Sequence, residues 1–190
     1  MLRSVSLLLL SLAGAANGSA STPLNITALS SRGGYSVLEC WQLEALPVEA
    51  MSAMNYNLGD TVKATWSIIQ PRTTVGEAWA PTVQLSVILN GMIRITSPAP
   101  APVGSTPAPS VGGGSAATGP PEQAVAYVVP GTLASSVVIA ADLKSISTLR
   151  GHFTEFPSDE PTVLVQVPFE GDVPPPHSVL HDGACRPPAA

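Results

Sequence analysis

Residues 82–96 read TVQLSVILNGMIRIT. Two runs rich in Val, Leu and Ile meet at Asn90-Gly91, a dipeptide that favours the positive-φ residues of a two-residue turn. The spacing predicts a β-hairpin, with 82–89 against 92–96. An Asn-Gly connection between two β-formers leaves no room for a helix at this point. It sets the expectation for the rest of the chain: short strands and tight turns.

Upstream, 35–43 (YSVLECWQL) alternates like a strand, and 60–70 (DTVKATWSIIQ) does so in part, which assigns Val62, Ala64, Trp66 and Ile68 to one core-facing side. Between them, 46–57 (LPVEAMSAMNYN) has Pro47 near its start followed by Glu, Ala and Met, and predicts a short helix. Residues 21–34 read as a loose N-terminal arm. Downstream, 97–121 holds seven prolines and six Ser or Thr in 25 positions, with almost no large apolar residue. It predicts a long disordered loop open to O-glycosylation. Strands are expected again at 124–129, 136–140, 145–149, 152–156 and 162–167, with turns at Pro130-Gly131 and 158–161. Many short strands with a turn every eight to twelve residues indicate an all-β domain spanning 35–186, a sandwich or a barrel.

Composition narrows the function classes. Of 190 residues only 11% are charged, and 20 are proline. Residues 1–20 carry Arg3, an apolar run from Val5 to Leu12 and then small residues, the pattern of a secretory signal peptide. That run is far shorter than the ~20 residues a membrane span requires. The expected location is therefore extracellular, with neither a membrane span nor a lipid anchor. Without Arg3 there remain seven basic and thirteen acidic residues, a charge of 7 − 13 = −6, which argues against nucleic acid and anionic membrane surfaces as partners. Cys40 and Cys185 are the two cysteines, and an oxidising compartment predicts one disulfide between them. Asn25-Ile-Thr27 is an N-glycosylation sequon; Asn17-Gly-Ser19 is a second one, inside the leader region.

The order VILNGMIRIT, GTLASSVVIAADL, FPSDEPTVLVQVPF resembles the cupin superfamily over about residues 57–169. The stretches YSVLECW, IAAD, PSDEPTV and the ending H-x-VLH-x-GAC resemble more narrowly a group of small secreted fungal proteins with a cupin-like barrel and no assigned activity. The resemblance implies a cupin-like jelly-roll β-barrel. Metal cupins carry two histidines and a glutamate around the first hairpin and another histidine after the second turn. Here Ala78, Ala80, Gln84 and Ser145 stand in those places. Neither Gln84 nor Ser145 replaces an imidazole or carboxylate donor, so the resemblance implies no metal chemistry at that site.

Other constellations are sparse. A relocated divalent metal site would draw on His152, His177 and His181, but the breakers Pro174–Pro176 and Asp182-Gly183 leave too few residues for a helix that would bring His177 and His181 onto one ion. An extended C-terminal strap tied down by Cys185 is the simpler expectation. No Gly-x-Ser-x-Gly nucleophile elbow exists. Nothing singles out an acid–base pair among Glu77, Asp142, Glu155, Asp159 and Glu160. Of the tryptophans, Trp66 reads as core and Trp79, at the mouth of the expected barrel, as a ligand contact. With Gln84 and Ser145 it forms the candidate ligand-binding set. The first functional expectation is a non-enzymatic secreted module with a pocket for a small molecule or glycan and no cofactor. The alternatives are a metal-dependent cupin enzyme and a cell-surface or wall interaction protein working through 97–121.

Overall fold

A computed structural model describes residues 23–98, 120–132 and 135–186. The expected signal peptide, Asn17 and most of the expected disordered loop lie outside the described residues. The described residues form an all-β structure of thirteen strands, with one short 3-10 turn at Glu170–Asp172.

Seven strands make the large sheet, in the order β13 (His177–Asp182), β2 (Tyr35–Leu43), β1 (Asn25–Arg32), β10 (Val137–Ala140), β7 (Gln84–Asn90), β12 (Thr162–Pro168), β5 (Thr65–Ile69). The small sheet has the order β6 (Thr73–Ala78), β11 (His152–Phe156), β8 (Ile93–Ser97), β9 (Ala124–Val128). Their facing sides share one core, with Leu29, Leu38, Ile88 and Leu164 from the large sheet against Ile93, Ile95, Val128 and Phe156 from the small one. This is two sheets packed face to face. Among the described residues they do not close into the barrel that the sequence had suggested. A second apolar cluster, Ile26, Ala28, Trp41 and Ile139 under Val83 and Phe169, covers part of the large sheet's outer face.

The decisive stretch forms two strands as expected, but they do not pair with each other. β7 bonds to β10 and β12 in the large sheet, whereas β8 bonds to β11 and β9 in the small one. Asn90-Gly91 is therefore a crossing between sheets. Its chemistry explains why. Gly91 has φ +77°, and a Cβ there would lie 2.8 Å from the Thr162 Cα, so the chain can pass over the start of β12 only with glycine. The Asn90 amide donates to the Pro161 carbonyl at 2.8 Å and holds that crossing.

Five further expectations are corrected. The loose arm at 21–34 is mostly β1, which lies inside the large sheet, antiparallel to β2 and parallel to β10. Gly33 and Gly34, both at positive φ, form the two-residue turn that folds β1 onto β2. The short helix at 46–57 is instead a small hairpin, β3 (Val48–Ala50) with β4 (Ala53–Asn55). Leu46 and Met51 stand in solvent, so no core holds one side of a helix there, and an isolated helix of this length is unstable in water. The 60–70 strand is confined to β5, and Trp66 and Ile68 face outward at 62% and 60% exposure, not into the core. Residues 145–149 form a turn rather than a strand, with the Ser147 N–H donating to the Leu143 carbonyl. The expected loop begins later than Ser97, which ends β8 fully buried and donates its hydroxyl to the Ser36 carbonyl.

Cys40 and Cys185 form the expected disulfide, with Cα atoms 4.6 Å apart. It ties the C-terminal strap, β13, to the strand it pairs with. The Cys185 N–H also donates to Thr27 Oγ1 at 2.9 Å, joining the strap to β1. No helix among the described residues is long and apolar enough to cross a membrane.

Candidate ligand-binding cleft

The chain leaves β6 at Ala78 and runs through Trp79, Ala80 and Pro81. An isolated parallel bridge between Ala80 and Leu143 sets this segment beside the turn that follows β10. The joint is made by Asp142, which is fully buried. Its carboxylate accepts from the Ser36 hydroxyl at 2.6 Å and from the Ala80 N–H at 3.2 Å, and lies 2.6 Å from His152 Nδ1. A buried carboxylate survives only when its oxygens are satisfied, and here three elements supply the partners. Asp142 thereby joins β2, β11 and the segment after β6.

Above that joint lies an open cleft of about 450 Å³, lined by Trp79, Ala80, Pro81, Lys144, Ser145 and Asp172 among others. The Trp79 indole is fixed at both ends. Its Nε1–H donates to the Ser147 carbonyl at 2.8 Å, and a Cβ on Gly151 would come within 2.8 Å of the ring, so the ring lies directly on that glycine. Ser147 is buried and its hydroxyl meets that of Ser31 at 2.6 Å. The Lys144 ammonium sits 4.5 Å from the ring centroid, a cation–π contact. Asp172, in a left-handed conformation at φ +56°, accepts the Val83 N–H at 2.9 Å. The result is a rigid aromatic floor ringed by an ammonium, a hydroxyl and a carboxylate.

Of the three residues marked from the sequence, the structure brings Trp79 and Ser145 together in this cleft. Gln84 is elsewhere, buried on β7 between Ala140 of β10 and Pro168 of β12. Lys144 and Asp172 were missed. Lysine and aspartate in turns read as ordinary solvated charge, and only the tertiary bridge at Ala80 brings them beside Trp79.

The histidines separate. His152 is buried against Asp142. His177 stacks on Trp41 with its Nδ1 2.7 Å from the Pro175 carbonyl, and the exposed His181 has its Nδ1 2.9 Å from the Asp182 carbonyl. No group of three His, Cys, Asp or Glu among the described residues is placed to hold a metal ion. The buried Ser36, Asp142 and His152 share the residue types of a hydrolytic triad but not its wiring. Ser36 donates to the aspartate rather than to the imidazole, so no base is positioned to activate its hydroxyl.

Elsewhere the charged side chains pair off. Arg32 bridges Glu39 and Asp182, which raises its pKa and holds the Asp182 carboxyl below its ordinary value. Arg94 pairs with Glu155, and Arg72 with Asp159 at 2.6 Å. Glu77 accepts from the Gly151 N–H at 2.9 Å. These contacts place the candidate acid–base residues Glu77, Asp142, Glu155 and Asp159 in separate structural roles.

No family model matches the chain, and no curated protein and no solved structure matches it either.

Proposed function

We propose that this protein is a secreted, non-enzymatic binding module with a cupin-like, jelly-roll arrangement, and that the Trp79 cleft takes a small polar ligand, a glycan first. The observation that carries this reading is the fixed Trp79 ring with Lys144, Ser145 and Asp172 around it. The apolar face of a sugar stacks on an indole, while its hydroxyls need donors and acceptors at the ring's margin. Lys144 is exposed, and an exposed cation–π contact contributes only about 0.5–1 kcal/mol, so a ligand can displace it from the ring.

Secretion is supported by the leader-like N-terminus and by the disulfide, which persists in oxidising compartments. Asn25 is exposed at the start of β1, where a glycan on its sequon would point to solvent. The non-enzymatic reading is supported by the wiring of Ser36, Asp142 and His152.

A glycan array followed by titration calorimetry tests the proposal. Binding that falls at least about tenfold in Trp79→Ala, the effect of losing a central aromatic contact, supports it. A silent array, or a ligand bound equally well by Trp79→Ala, removes it.

A further inference from the structure

The outer face of the large sheet is apolar at its β5 end. On a sheet with one solvated face, polar residues point outward. Here Ser67, Gln166 and Ser86 share the inner face, where the Ser67 hydroxyl donates to Gln166 at 2.8 Å. The cross-strand rows that point outward hold Trp66, Val165 and Val87, and then Ile68 and Val163. The cover formed by Val83 and Phe169 lies over the other end of the sheet, and Trp66 and Ile68 stay largely exposed.

β5 is also the last strand of its sheet, so its outer backbone groups have no strand partner among the described residues. Sheet edges are normally protected by charge, proline, a bulge or a covering element. The opposite edge, β13, carries His177, His181 and Asp182 and has a bulge between Val179 and His181. In the small sheet, β6 carries Glu77 and shares an irregular ladder with β11, while β9 packs against β2. β5 reads TWSII, with neither charge nor proline and an uninterrupted ladder to β12.

We infer that β5 is the interface of a symmetric homodimer, pairing antiparallel with β5 of a second copy so that the two large sheets become continuous. An antiparallel strand is complementary to itself about a two-fold axis, which makes the contact isologous and closed. With the axis at Ser67, Trp66 of each copy stands opposite Ile68 of the other on the outer face, an aromatic–aliphatic cross-strand pair. The strand is uncharged, so two copies of an acidic protein meet there without like-charge contact. Pairing along this five-residue edge buries the facing backbones and part of Trp66 and Ile68, below about 1,000 Å² in total. That is the lower end for a specific interface and fits a reversible dimer rather than an obligate one. The inference is independent of the ligand assigned to the Trp79 cleft.

Sedimentation equilibrium of the purified protein tests it, over about 1 to about 200 μM, the range suited to an interface of this size. The expected result is a mass that rises from one chain toward two with concentration. The double variant Trp66→Lys, Ile68→Lys should stay at one chain throughout while keeping the thermal midpoint and circular dichroism of the unchanged protein. Both substituted side chains already stand in solvent, so the variant is expected to fold. A monomeric unchanged protein at the highest concentration overturns the inference, as does a dimer that persists in the double variant.

Discussion

His177 lies flat on Trp41, with ring centroids 3.5 Å apart and planes 11° from parallel. Trp41 is a buried residue of β2, its Nε1–H donating to Glu39 at 2.9 Å, and His177 is the first residue of the strap that pairs alongside. The imidazole closes the last open side of the indole. His177→Ala is expected to lower stability by about 1 kcal/mol, the contribution of an aromatic pair beyond its buried area. It should also red-shift the Trp41 component of the fluorescence as water reaches the ring. An unchanged denaturation midpoint would show that the stack contributes nothing.

The disulfide joins positions 145 residues apart. Closing so long a loop restricts the unfolded chain, and the chain-entropy model gives about 5 kcal/mol for this length. Cys40→Ala with Cys185→Ala, or mild reduction, should shift the urea midpoint downward by a large fraction of the total stability. Because Cys185 also holds the strap beside β1, early proteolysis of residues 177–186 is the local signature of the loss.

Asp142→Ala should be the most damaging single substitution in the cleft region. It leaves the Ser36 hydroxyl, the Ala80 N–H and the His152 ring without their buried acceptor. Removing one member of such a network costs about 3 kcal/mol, because the groups left behind stay desolvated. Differential scanning calorimetry measures the drop. Loss of ligand binding should accompany it, since the Ala80 bridge that assembles the cleft depends on the same carboxylate.

Arg32 lowers the pKa of Asp182 in the folded state. A depressed carboxyl binds its proton less readily folded than unfolded, so its stabilising effect is present above the unfolded value near pH 4 and fades as pH falls through the lower folded value. Asp182 is largely exposed, which keeps the effect below about 1 kcal/mol. Stability measured against pH should therefore fall slightly more steeply on the acid side for the unchanged protein than for Asp182→Asn. The two curves should converge at the lowest pH. Parallel curves would show that the pair is not formed in solution.

Local chemistry made the strands legible and left their partners hidden. β9, β11 and β12 are visible as alternation because each has one side in a core, and β2 as an apolar run because it is buried on both sides. Asn90-Gly91 marked the break between two strands but not a hairpin, because the glycine encodes positive φ and not the identity of the next neighbour. Only the long-range pairing, β7 with β10 and β12 and β8 with β11 and β9, shows that the chain crosses to the other sheet. Gly33-Gly34 was the unread signal for β1, a two-glycine turn between two β-rich runs. Trp66 misled because alternation reveals that one side of a strand is apolar without saying which side is inward. In the cleft, Trp79 stood out by residue type, whereas Asp142 looked like any acidic residue at a strand's end. Its burial follows from long-range contacts with Ser36 and His152.

β1 lies between β2 and β10, and the disulfide arrives with the strand at the far edge. Of the described strands a ribosome makes β1 and β2 first, yet their two outer neighbours are β10 and β13, the last of them. The hairpin must wait, half-paired, while more than a hundred residues are added. A chain lacking Cys185 would lose the sulfur that ties the strap to β2. Cys185 therefore closes the sheet late, fastening the described strand made last to one of those made earliest.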